Sequence, residues 1–145
     1  MYNVFDAHCD TAYELYNDKA KGNFRENIIH FQVKNTLSYR KYIQLFALWA
    51  NPEYDNEDAV TFMKNMLDET LLSFKEQEIE IIKDAGDFDF NSGFKAILGI
   101  EGGRALYDNP ENLYYYHEKG IRCLTLTWNG VNLLGYASDT SQDEG

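Results

Sequence analysis

The chain has 145 residues, 44% hydrophobic and 15% aromatic, enough for a domain with a real core and not the composition of a disordered chain. Its formal net charge of −11 argues against nucleic acid or an anionic membrane surface as the main partner. No apolar run approaches a membrane span, no basic-then-apolar leader precedes the first strand, and Cys9 and Cys123 form no C-x-x-C, so a cytoplasmic chain with two free thiols is expected. Strand and helix patterns then alternate. Asn3–Cys9 reads as a first strand and Thr11–Lys19 as a short helix opened by Asp10 or Thr11. Asn23–Leu37 is irregular and partly polar. Tyr42–Ala50 is nearly all apolar, as a strand buried on both faces should be, and Asn51-Pro52 stops it. Asn56, with Glu57 and Asp58 behind it, can cap a helix that carries Val60, Met63, Leu67, Leu71 and Phe74 on one stripe. Glu78-Ile79-Glu80-Ile81 switches to a period of two, a short extra strand. Phe94–Ile100 is the third main strand. Asn109-Pro110 opens a helix that ends before Gly120, and Ile121–Thr127 is the fourth strand.

Buried strands separated by helices imply a parallel α/β sheet. A Rossmann-type sheet wants a glycine-rich turn after its first strand, and none is present. Polar residues gather at strand ends instead: His8 and Asp10 after the first, Glu101 after the third, Trp128 and Asn129 after the fourth. Barrels of the (β/α)8 type place their chemistry at those ends. A full barrel needs about 250 residues, so four βα units occupy about half of one. The sequence also runs out at Ser141–Gly145 without a closing helix. The expected fold is therefore the first half of a (β/α)8 TIM-type barrel, with residues 1–145 the N-terminal part of one domain.

Residues two apart on a strand share a face, so His8 and Asp10 are expected side by side, an imidazole and a carboxylate suited to a metal-hydrolase site. The plainer alternative is that Asp10 caps the following helix and His8 is an ordinary buried histidine. Glu101, in Gly99-Ile-Glu-Gly-Gly103, stands at a strand end and could bridge two metal ions; alternatively it pairs with Arg104 or caps the next turn. Asp6, one pleat before His8, is either an orienting partner for an imidazole or a strand-start carboxylate bonded to backbone. Cys9 lies between two ligands on the opposite face and reads as core. Asp87-x-Asp89-x-Asn91 resembles the start of a calcium loop, but Ser92 and Leu98 stand where glycine and a bidentate glutamate are required. Tyr114-Tyr-Tyr116 reads as an aromatic helix patch packed on the sheet, and His117 as solvated surface.

Phe5-Asp-Ala-His-Cys-Asp-Thr11, His30-Phe-Gln-Val33, Ile100-Glu-Gly-Gly103 and Leu124-Thr-Leu-Thr-Trp-Asn129 with Asn132 occur in that order. Together they resemble the membrane (renal-type) dipeptidase family, zinc dipeptidases of peptidase family M19 with a (β/α)8 fold. The resemblance implies that His8 and Asp10 bind one zinc and that Glu101 bridges two. It implies a hydroxide held between the ions that attacks the carbonyl of a dipeptide. Two further histidines that complete the second zinc, and the downstream acid and substrate-binding residues, belong to the family's C-terminal half. Mammalian members carry histidine where Trp128 stands here, so Trp128 and Asn129 are expected on the substrate side, with an altered preference. A half barrel also exposes two sheet edges, which favours association, including a homo-oligomer. Three functional readings follow: a zinc dipeptidase seen through its N-terminal half, inactive as this piece alone; a metal-dependent hydrolase of another amide on the same barrel; and a truncated, non-catalytic relative.

Overall fold

The computed structural model describes residues 1–54 and 56–138, the side chain of Asn56 excepted. Four strands form one parallel sheet in the order β1-β2-β3-β4: β1 (Asn3–Asp6), β2 (Lys41–Leu48), β3 (Gly93–Glu101) and β4 (Ile121–Thr125). Parallel neighbours need a crossover between them. These are supplied by α1 (Thr11–Asn17), α2 (Asn56–Glu76) and α3 (Glu111–Lys119). Each strand lies beside the next in sequence. A doubly wound sheet reverses its order at a switch point, whereas a barrel continues around, and this sheet continues.

The core lies between the sheet and its helices. Phe46 and Leu48 of β2 and Leu98 and Ile100 of β3 meet Met63, Met66, Leu67 and Phe74 of α2. The irregular excursion is part of this core. Phe24 sends its ring edge-on against Phe46 at 5.4 Å and Phe74 at 4.7 Å, and Phe31 meets Phe46 at 5.6 Å. Backbone groups left without a ladder there are satisfied by Asn27, whose amide donates to the carbonyls of Asn23 and Phe31 and whose oxygen accepts from the Ile29 N–H.

Several boundaries differ from the sequence expectation, each for a local reason. β1 pairs regularly only as far as Asp6 opposite Gln44. Cys9 then donates to the Leu45 carbonyl and accepts from the Ala47 N–H, which sets it opposite Phe46. Three residues on one strand thus match two on the other, so an extra residue bulges out between Asp6 and Cys9. α1 stops at Asn17 because Asp18 turns extended, and its carboxylate caps a tight turn at Lys19–Lys21. The expected strand at 78–81 is a single bridge, Ile81 to Ala96. β4 occupies that flank of β3 from Leu98 onward, leaving no room for a longer pairing. The Asp87 carboxylate accepts from the N–H groups of Lys83 and Asp84 in a capping box, and is spent on local structure rather than on a calcium loop. Of the tyrosine patch only Tyr116 is fully buried, its hydroxyl donating to the Ala105 carbonyl, while Tyr114 and His117 are exposed. A small hairpin, β5 (Val131–Asn132) with β6 (Gly135–Tyr136), follows β4 and was not expected. The capping role expected of Asn56 and the run-out at Ser141–Gly145 lie outside the described residues.

Candidate metal centre

His8 and Asp10 sit in the loop after β1, and Glu101 is the last residue of β3. One donor atom from each lies within 4.8 Å of the others, the one such grouping of three or more among the described residues. The bulge helps build it. Cys9 takes the core position opposite Phe46 and is 2% exposed, while its neighbours His8 and Asp10 are left outside the core. Burial pushes the Cys9 thiol up to about 12, so it stays a protonated core group.

The alternatives open at sequence level separate here. Asp10 occupies the N-cap position of α1, yet its side chain makes no capping bond. Its Oδ1 accepts the indole N–H of Trp49 at 3.1 Å, and its carboxylate lies 3.4 Å from His8 Nε2. His8 is not a buried core histidine, since its side chain is 51% exposed. Arg104 does not pair with Glu101 but reaches the Tyr54 carbonyl. Asp6 does not orient the imidazole. Its carboxylate accepts from the Tyr42 hydroxyl and the His8 backbone N–H, because the bulge breaks the alternation that would have aligned the two side chains.

The glycines after Glu101 have separate tasks. Gly102 turns the chain through a positive φ of 85°, where a side chain is strained, and its N–H is held by Thr125 Oγ1 at 2.8 Å. A Cβ on Gly103 would lie 2.6 Å from Asn132 Oδ1. Asn132 is accordingly structural, tying the Leu126 carbonyl to the Leu134 N–H. Trp128 is half-buried with its ring centroid 4.8 Å from that of Trp49, and Asn129 is exposed beside it. His30 is exposed and shares a groove of about 260 Å³ with Asp6, His8 and Tyr42, but is not one of the three clustered donors.

Sequence reasoning missed Trp49. It follows the last residue of β2, the strand-end position at which the other site residues were found, but within an apolar run it reads only as core.

One imidazole nitrogen and two carboxylates are a donor set that zinc and similar divalent ions accept. Burial pushes the Glu101 carboxyl up, the nearby His8 pulls it down and the Asp10 carboxylate pushes it up again. A dication among the three would offset that burden, so the residues fit a metal.

A continuing parallel β/α sheet with nitrogen and oxygen donors gathered at its strand ends is a barrel-type arrangement whose rim fits a metal ion. The sequence profile of the membrane dipeptidase family, peptidase family M19, matches residues 1–145, and the chain belongs to that family. None of the curated proteins matches it. Among solved structures it is similar to the metallopeptidase dipeptidase AC of family M19, with a TM-score of 0.71 at 18% identity over 88% of this chain and 43% of that one. It is also similar to a metallopeptidase from Rhodobacter sphaeroides bound to a phosphinate mimic of the dipeptide L-Ala-D-Ala, with a TM-score of 0.73 at 16% identity over 88% of this chain and 46% of that one. The fold is the first part of their TIM barrel, and the chain spans less than half the length of either.

Proposed function

We propose that this chain supplies the N-terminal part of a single metallo-dipeptidase barrel domain that hydrolyses dipeptides with zinc. The observation that carries the reading is the meeting of His8, Asp10 and Glu101 within 4.8 Å at the strand ends. His8 and Asp10 would hold one ion and Glu101 would be shared between two, keeping both at one rim. Bound zinc supplies an acidified water as nucleophile and polarises the scissile carbonyl. The protein side of the chemistry is positional. Glu101 is fixed by the tight turn at Gly102, and the ring of Trp128 borders the cluster through Trp49. Trp128 and Asn129 would face the substrate.

Three donors are fewer than the roughly four that even one structural zinc site needs. The remaining ligands and the acid that completes catalysis would come from the C-terminal half of the barrel, so the 145-residue chain alone would be a weak metal binder and a poor catalyst. No described helix is long and apolar enough to cross a membrane. Cys9 and Cys123 are both free, which supports a reducing, cytoplasmic setting, and the open edges of β1 and β4 support association, including between copies.

The second reading, another amide as substrate, is favoured by one observation: the indole at position 128 carries a single N–H and, unlike an imidazole, can neither accept a hydrogen bond nor carry a positive charge beside a substrate carbonyl. The test uses the whole enzyme on a dipeptide panel. Hydrolysis should vanish with a chelator and return with zinc, and Trp128→His should change preference among dipeptides more than zinc content. Chelator-resistant hydrolysis would end the metal reading. Zinc-dependent cleavage confined to other amides would leave the second reading in its place. A loss of zinc in Trp128→His with preference unchanged would move Trp128 from the substrate side to the metal scaffold.

A further inference from the structure

Asp10 has two hydrogen-bonding fates open to it. It stands at the N-cap of α1, where a carboxylate commonly accepts from the first backbone N–H groups of the helix. It takes neither of the usual capping bonds and is instead held by the Trp49 indole N–H at 3.1 Å. That donor cannot swing away. The Trp49 ring is stacked on Tyr13 with centroids 3.7 Å apart and planes 15° apart, and Trp128 closes its other contact at 4.8 Å and 46°. Tyr13 lies in the first turn of α1, three residues after Asp10, so one turn of helix sets both the carboxylate and the platform beneath its partner.

We propose that Trp49 is a positioning residue of the metal centre, whose clamped indole holds Asp10 away from the helix end and turned toward His8 and Glu101. The role rests on the metal reading above. A hydrogen bond from a neutral donor to a carboxylate is directional and stronger than one between neutral groups. It engages Oδ1 of Asp10 and keeps the carboxylate beside the imidazole, with both oxygens 3.4 Å from His8 Nε2. Groups behind a ligand that fix its orientation commonly alter metal affinity by about 10–100-fold. The same ring also touches Trp128, so the carboxylate and the substrate-side wall share one support.

The chain has two tryptophans, at 49 and 128, which makes the indole N–H a direct probe. In the nitrogen-15-labelled, metal-free chain, the Trp49 indole proton should resonate downfield of that of Trp128. Asp10→Ala should move it upfield by several times more than it moves the Trp128 signal. Zinc is then titrated into the millimolar range and followed at the His8 ring. Trp49→Phe, which keeps an aromatic ring and removes the donor, should weaken zinc binding at least about tenfold while leaving the thermal midpoint nearly in place. An indole signal indifferent to Asp10→Ala overturns the proposal, even if Trp49→Phe fails to fold. Unweakened zinc binding by a folded Trp49→Phe chain overturns it as well. If the wild-type chain shows no zinc response at His8 while the indole signal behaves as expected, the metal centre itself is the reading that has failed, and the proposed role falls with it.

Discussion

At the scale of single residues, the cluster is asymmetric, and the asymmetry is testable. Burial disfavours the charge of Glu101, His8 favours it and the Asp10 carboxylate again disfavours it, with a net upward push. As the proposed shared ligand Glu101 would balance the most cation charge. Glu101→Gln keeps shape and removes that charge, so zinc affinity should fall by more than the roughly 100-fold that marks a change behind a ligand. Asp10→Asn keeps an oxygen that Trp49 can still donate to and should lose less, with binding recovered at high zinc. Competition against a chromophoric chelator ranks the two. An Asp10→Asn chain weaker than Glu101→Gln would remove Glu101 from the shared position.

At the scale of elements, the turn that follows β3 decides where Glu101 points. Gly102 combines a φ of 85° with a Cβ position 3.2 Å from the Trp128 Cβ. Gly86, in the 3-10 turn at Ala85–Phe88, has nothing within 4 Å of its Cβ position and no positive φ. The same substitution should therefore have opposite outcomes. Gly102→Ala should cost about 1–3 kcal/mol, because φ 85° with ψ 144° is a conformation that glycine alone adopts readily. Gly86→Ala should be neutral or stabilise by up to about 1 kcal/mol by restricting the unfolded chain. Urea unfolding of both variants checks this. Equal effects would mean that the turn yields without strain.

At the scale of the whole molecule, the buried acids set a pH limit. Burial raises the Cys9 thiol from 9.0 to about 12, and burial with the Asp6 charge raises the Tyr42 hydroxyl from 10.0 to about 12. Tyr116 is pushed up as well by burial. In each case the folded chain keeps a proton that the unfolded chain releases. Stability is therefore full below about pH 9 and falls as pH rises toward 12, by up to roughly 1.4 kcal/mol per pH unit for Cys9. Thermal midpoints measured from pH 7 to 11 should bend downward above 9. At neutral pH a thiol reagent should label exposed Cys123 quickly and buried Cys9 only after urea is added. Rapid labelling of both would show that the bulged end of β1 opens readily.

The strand order, the helices between strands and the gathering of His8, Asp10 and Glu101 at one rim were legible in the sequence. Apolar runs of strand length, helical stripes and polar residues at strand ends are local patterns, and the barrel rule turns them into one rim. The reason His8 and Asp10 escape the core was not legible in the same way. Simple alternation predicts that Asp6 shares their side, but the extra residue between Asp6 and Cys9 exists only in the pairing with β2, and it leaves Asp6 with Tyr42 instead. Whether Asp10 would cap a helix or serve a site was likewise undecided by its neighbours in sequence. Its carboxylate makes no capping bond and accepts instead from Trp49, 39 residues away. Phe24 looked like loop and proved to be core for the same reason, because Phe46 and Phe74 reach it only in the folded chain. Local periodicity fixes which elements form. Choices between competing partners for one backbone or side-chain group are made by contacts that only the tertiary structure brings together.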